Sequence, residues 1–254
     1  MFNYLLNQSG AISLFDLDAP TLVDGWWTLL IGDRNSGKTH LIGDFLREES
    51  KYGPVVYINC KGEGGADVLK GMGLGKVYYR IETFADFMEL VNMFQGKGIR
   101  AAGVDSLPIL SELVASSVIG TGSRMPEASF GKENEKNEWT PYHFKTFRAL
   151  KLLRTIAPLG MVSASADVSV SNVARTAAGA PKKFGGKVTP NVPGKQAFDS
   201  VGYFDMAGYM YAENDTGKVE RYLDFSTHQH VVTRQRLPKE ITKELAIPRD
   251  IGGW

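Results

Sequence analysis

Gly32-Asp33-Arg34-Asn35-Ser36-Gly37-Lys38-Thr39 fits the pattern G-x-x-x-x-G-K-[ST], and its flanks decide the fold class. Upstream, Trp26 to Ile31 is an apolar, β-rich run; downstream, Thr39 to Glu49 sets Leu41, Ile42, Phe45 and Leu46 on one helical face. A glycine-rich loop between a strand and a helix aims backbone N–H groups and the positive helix end at one place, which suits a row of phosphates. Residues Gly32 through Thr39, with His40 beside them, are therefore the expected binding loop for a nucleoside triphosphate, ATP. Within it the Lys38 ammonium is placed to neutralise the β- and γ-phosphates. The Thr39 hydroxyl is a hard oxygen donor of the kind that Mg²⁺ takes.

Further apolar runs recur between helical patterns: Val55 to Ile58, Val77 to Ile81, Ala101 to Val104 and Gly160 to Ala164. Their alternation with helices predicts an α/β fold, a mostly parallel sheet flanked by helices. Thr83 reads as the N-cap of a helix carrying Phe84, Phe87, Val91 and Phe94, and Thr140-Pro141 reads as a helix start with the proline in the first turn. After Pro190 the pattern changes. Met206 to Ala212 and Val219 to Phe225 flank Asn214-Asp215-Thr216-Gly217, which predicts a C-terminal antiparallel hairpin. The expected organisation is an extension over 1–25, one ATPase domain over 26–237 and a tail over 238–254.

Magnesium needs a second determinant at the end of a neighbouring strand, and Ala101-Ala102-Gly103-Val104-Asp105-Ser106 is an apolar run that ends in a carboxylate. Asp105 is the candidate for metal binding and catalysis. The alternative is that Asp105 caps the helix starting at Ser106-Leu107-Pro108, a task Ser106 can also perform. A group must also orient the attacking water. Glu63, in Asn59-Cys60-Lys61-Gly62-Glu63, is the nearest candidate carboxylate, the alternative being an ordinary solvated loop glutamate.

The chain has 254 residues, 43% of them hydrophobic, enough to bury a large core. Its 29 basic residues against 28 acidic leave a formal charge of +1, so no global field draws it to nucleic acid or to an anionic membrane. Any polyanion site must be local. A single cysteine, Cys60, excludes an internal disulfide framework and suits a reducing compartment, so a cytoplasmic location is expected, that of a host cell if the protein is viral. Met1 to Asp24 lacks a basic leader with an apolar run, and nowhere do about 18 apolar residues follow one another, so a soluble, unprocessed chain with no membrane partner is expected.

The order of motifs, Gly32 to Thr39, then a strand ending near Glu63, then Val104-Asp105-Ser106, resembles the RecA-like ATPase core. More narrowly the chain resembles the phage nucleotide-binding proteins related to RecA, including Sak-type ATPases associated with single-strand annealing and recombination. The resemblance spans Trp26 to Arg236 and takes in Trp139 and Tyr142, Met161-Val162-Ser163-Ala164-Ser165, and Pro190 to Lys195 followed by Phe198-Asp199. Two positions depart from the pattern: Lys61 stands where RecA carries its catalytic glutamate, and the strand ending at Ser165 lacks the polar glutamine or histidine sensor.

The resemblance implies a homo-oligomer, ring or filament, in which basic residues of a neighbour complete the site; Lys195, Arg221, Arg234 and Arg236 are the candidates. It also implies a mobile DNA-binding loop after the Ser165 strand. There Val168 to Thr189 holds Arg175, Lys182, Lys183 and Lys187 with Phe184 and no acidic residue, so single-stranded DNA is the expected partner. The alternative is a solvated basic loop. Gly120 to Glu138 is also irregular, but it mixes Lys132 and Lys136 with Glu133 and Glu135 and carries no such signal.

Three features are set aside. His228 and His230 have metal-compatible spacing but no cysteine or carboxylate cluster, Trp26-Trp27 suits packing, and Cys60 has no nucleophile partners. The leading expectation is an ATP-dependent recombination or annealing protein. The rivals are a DNA motor, either helicase or genome-packaging ATPase, and a nucleotide-switched loader that does not hydrolyse.

Overall fold

The computed structural model describes residues 25–119, 135–167, 188–192, 196–215, 218–225 and 234–235. They fall into two compact units, one containing residues up to Trp27 with Thr39–Ser163, the other Thr28–Lys38 with Ala164 onward.

In the first unit the apolar runs become strands β2 (Val55–Cys60), β3 (Tyr78–Ile81), β4 (Ala101–Asp105) and β5 (Leu159–Asp167). They lie in the order β3-β2-β4-β5, every pair parallel, with Tyr57 opposite both Tyr78 and Gly103. All six residues of β2 and all five of β4 are buried, as expected for parallel strands covered on both faces. The helices are α1 (Lys38–Glu49), α2 (Ala66–Gly71), α3 (Phe84–Phe94), α4 (Leu107–Ile119) and α5 (Glu135–Ile156). Helix α1 buries Ile42, Phe45 and Leu46. It comes so close to β4 that a Cβ on Gly103 would lie 2.4 Å from Ile42 Cγ2, so only glycine fits there. Trp27 is buried, and its indole Nε1 donates to the Ala157 carbonyl at 3.2 Å, the packing role its sequence context suggests.

Thr83 caps α3 through a capping box: its hydroxyl accepts from Asp86 N at 3.2 Å, and Asp86 Oδ2 accepts from Thr83 N at 2.9 Å. The N–H groups of Glu82 and then Thr83 hold the Asp86 carboxyl below its ordinary range. A carboxylate lowered in the folded state stabilises above the unfolded pKa of about 4, and that contribution is lost as the pH falls through the folded value. Thr83→Ala is expected to cost about 1 kcal/mol, read as a lower denaturation midpoint at pH 7.

The Thr140-Pro141 start signal requires correction. Helix α5 begins at Glu135, with Pro141 inside it. A proline removes one N–H donor, and the preceding Glu135 to Glu138 are mostly good helix formers, so the helix extends past the local signal. Downstream the helix is anchored by buried Tyr142, whose hydroxyl hydrogen-bonds to Ser111 of α4, burial raising the phenol to about 12.

In the second unit, residues of β1 (Trp26–Gly32) pair in parallel with β7 (Met206–Asp215), Gly32 lying opposite Met210. Strand β7 turns back antiparallel onto β8 (Lys218–Asp224), from Tyr209 opposite Asp224 to Asp215 opposite Lys218. The hairpin is thus where the sequence places it, although its Thr216-Gly217 turn lies outside the described residues. Short strands β6 (Thr189–Pro190) and β9 (Arg234–Gln235) pair antiparallel with Ala166–Asp167, the end of β5 that belongs to this unit, and with β7. Among the described residues, the first unit thus carries the expected parallel sheet flanked by helices, and the second the antiparallel C-terminal pair. Among them, no helix is long and apolar enough to cross a membrane.

Candidate functional site

Strand β1 delivers Gly32 to the end of a buried apolar run, and the chain turns through Asp33–Gly37 before α1 begins at Lys38. The turn is closed by Ser36 N donating to the Asp33 carbonyl at 3.3 Å. It uses two left-handed residues, Asn35 at φ 64 and Gly37 at φ 98. Gly32 has no room for a side chain, since a Cβ there would lie 2.1 Å from the Met210 carbonyl oxygen. Across this loop the Lys38 ammonium donates to the carbonyls of Gly32 at 2.8 Å and Asp33 at 2.6 Å. The cation is thereby held against the loop's own backbone. Asp33, Arg34, Asn35 and His40 are exposed and Ser36 is buried.

Besides Met210, two residues of the C-terminal hairpin reach this loop. The Tyr209 hydroxyl donates to Asp33 Oδ2 at 3.4 Å, and burial, followed by the Asp33 carboxylate, raises the phenol above its ordinary value. Arg221 lies against Gly37: a Cβ on that glycine would sit 3.0 Å from Arg221 Cδ and 3.3 Å from its Nε. The Arg221 Nε is buried and has no hydrogen-bond partner among the described residues.

In the first unit the first helical turn presents Thr39, whose hydroxyl donates to Asp105 Oδ2 at 2.7 Å. Asp105 ends β4, is 4% exposed, and collects two more hydroxyls: Tyr57 donates to Oδ2 at 2.8 Å, and Ser163 of β5 donates to Oδ1. A buried carboxylate is tolerated when its lone pairs are filled in this way. Burial, then the Asp105 charge, pushes the Tyr57 phenol far above its ordinary range, so it stays a donor. The Asp105–Ser106 peptide is cis.

The alternative role for this segment, helix capping, is not what these side chains do. Asp105 is occupied by hydroxyls, and the Ser106 hydroxyl donates to Glu63 Oε1 at 2.5 Å while the Ser106 carbonyl accepts from Leu110 N at 3.0 Å. Glu63 is thus tied to the residue following Asp105. Its loop is held by Asn59 Nδ2, which donates to the carbonyls of Cys60 at 3.2 Å and Glu63 at 3.1 Å. Lys61 is exposed, and Cys60 is buried with its thiol pushed up by desolvation.

These residues fit a magnesium ion carried by a phosphate chain. Thr39 and Asp105 are hard oxygen donors within hydrogen-bond distance of each other, and such an ion brings the rest of its shell as phosphate oxygens and water. Space beside them depends on Gly65, where a Cβ would lie 2.4 Å from the Tyr57 hydroxyl, 3.0 Å from Thr39 Cγ2 and 3.3 Å from Asp105 Oδ2.

Sequence reasoning missed Tyr57, Ser163 and Gly65. The first two carried a faint signal, each being a hydroxyl flanked by apolar residues in a strand, where a buried polar group requires a partner. Gly65 carried none. Of the other sequence candidates, Arg234 lies in β9, opposite Ala207. Lys195, Arg236, Arg175, Lys182, Lys183, Phe184 and Lys187 lie outside the described residues, as do His228 and His230.

No curated protein matches the chain in sequence. Among solved structures, the KaiC-like protein PH0186 from the hyperthermophilic archaeon Pyrococcus horikoshii OT3 is similar, with a TM-score of 0.44 and 12% identity over 78% of either chain. A sequence-family model described as an AAA domain matches residues 24–237. A match over that much of the chain, together with the loop built around Lys38, places the protein in the AAA domain family, as a P-loop ATPase.

Proposed function

We propose that the protein binds Mg·ATP on the Gly32–Thr39 loop and hydrolyses it. The observation that carries this reading is the Thr39 hydroxyl bonded at 2.7 Å to a buried carboxylate at the end of a parallel strand. Magnesium, when bound, draws charge from the β- and γ-phosphate oxygens. Thr39 and Asp105 would hold it, and the Lys38 ammonium, bonded here to the carbonyls of Gly32 and Asp33, would pair with phosphate oxygens. Glu63, tethered by Ser106, orients the attacking water; positioning of this sort supplies much of the rate in phosphoryl transfer.

The finer reading is a phage-type protein of DNA recombination or annealing, assembled as a homo-oligomer on single-stranded DNA. It is supported by the basic, acid-free sequence of residues 168–189 and by the resemblance to Sak-type ATPases. A basic loop repeated along an assembly multiplies a weak contact into a strong one. The test is an ATPase assay with and without single-stranded DNA, run beside size-exclusion chromatography. DNA-stimulated turnover by an oligomer is expected. Strand displacement coupled to turnover would shift the reading to a motor, and ATP binding without turnover under either condition would shift it to a switched loader. Turnover indifferent to DNA in a monomeric protein defeats the recombination reading while leaving the ATPase intact.

A further inference from the structure

The sequence groups Arg221 with cations destined for a neighbouring subunit. The structure places its side chain on the loop of its own chain. Arg221 stands on β8 opposite Ala212, and the same face of the hairpin carries Met210, whose Cε also packs at Gly37, 3.2 Å from the position of a Cβ. The approach requires both the missing side chain and the φ of 98 at Gly37. Arg221 and the loop from Gly32 to Lys38 belong to one compact unit, so their relation depends on no second copy.

The guanidinium is incompletely satisfied there. Its Nε is buried without an acceptor among the described residues, and a buried donor left unpaired is costly enough that native proteins retain few. The loop itself has little to offer. Its N–H groups are donors, and the carbonyls of Gly32 and Asp33 already accept from Lys38. An acceptor arriving with a ligand resolves the mismatch, and the ligand class the loop takes is a polyphosphate.

Resting on the nucleotide reading above, we propose that Arg221 is a cis phosphate-binding residue: it contacts an anionic oxygen of the nucleotide held in its own subunit's loop. A guanidinium suits this role because its fixed fork pairs with phosphate oxygens and it is less strongly hydrated than an ammonium. The hairpin then senses occupancy of the loop from within one subunit.

The test is titration of Mg·ATP and Mg·ADP into wild type, Arg221→Ala, Arg221→Gln and Arg221→Lys. Each is held at a dilution where sedimentation reports monomer, with circular dichroism to confirm folding. Arg221→Ala and Arg221→Gln are expected to lose about tenfold or more in Mg·ATP affinity, the worth of one charge-assisted hydrogen bond, with Arg221→Lys between them and wild type. Equal affinity of folded Arg221→Gln and wild type as monomers overturns the proposal alone, as does turnover gained when Arg221→Gln is mixed with Lys38→Ala at a concentration where subunits associate, the sign of a cation supplied in trans. Absence of Mg·ATP binding by wild type overturns the nucleotide reading and this proposal together.

Discussion

Lys38→Ala is expected to reduce ATP turnover by about 100- to 1,000-fold, the range found when a preorganised donor to transition-state charge is removed. The geometry adds a second reason for a large effect. The ammonium donates to the carbonyls of Gly32 at 2.8 Å and Asp33 at 2.6 Å, so truncation removes a phosphate ligand and also the pin that closes the loop before nucleotide arrives. Lys38→Arg is expected to rescue little, because a broad planar fork does not replace a compact ammonium in a space set by two backbone oxygens. Steady-state turnover measured with Mg·ATP titrations checks this. Turnover of Lys38→Ala within about threefold of wild type would remove Lys38 from the mechanism. The melting temperature should move little, since Lys38 is only half-buried.

Asp105→Asn and Asp105→Ala are expected to separate catalysis from stability. Asparagine keeps the shape and one acceptor oxygen, which can still receive Thr39 and Tyr57, while its NH₂ can donate to the Ser163 hydroxyl. The fold should therefore tolerate it. The lost charge should lower turnover by about 100-fold or more and raise the magnesium concentration needed for half-maximal rate. Alanine strips the acceptor from three hydroxyls at a site 4% exposed, at a cost of about 1–3 kcal/mol for each that finds no new partner. Tyr57→Phe, which removes one of the three donors, should cost about 1 kcal/mol and shift the magnesium dependence more than the ATP dependence. Denaturant midpoints and magnesium titrations of the three variants check the pattern. A Tyr57→Phe enzyme with unchanged magnesium dependence would show that the tyrosine only packs.

The parts of the site legible in sequence are those built by contiguous residues. Gly32 to Thr39 carries its own turn residues, and the apolar runs on either side announce the strand and the helix that aim it. The capping box at Thr83 is equally local: a threonine and an aspartate three residues apart satisfy each other whatever lies beyond. Local signals also mislead. Pro141 has the φ of a first-turn residue, yet α5 starts earlier, because one missing hydrogen bond does not outweigh a packed helix of this length.

Rules acting over a few residues sufficed for the phosphate loop, the strand that ends at Asp105, the alternation that demands a parallel sheet and the hairpin after Pro190. The tertiary structure alone decided that Tyr57, Ser163 and Thr39 meet on one carboxylate, that Gly65 keeps space beside them, and that Arg221 lies against Gly37. Those outcomes depend on the register between strands far apart in the chain, including the parallel pairing of β1 with β7. Register is set by the joint burial of many side chains, and no short stretch encodes it.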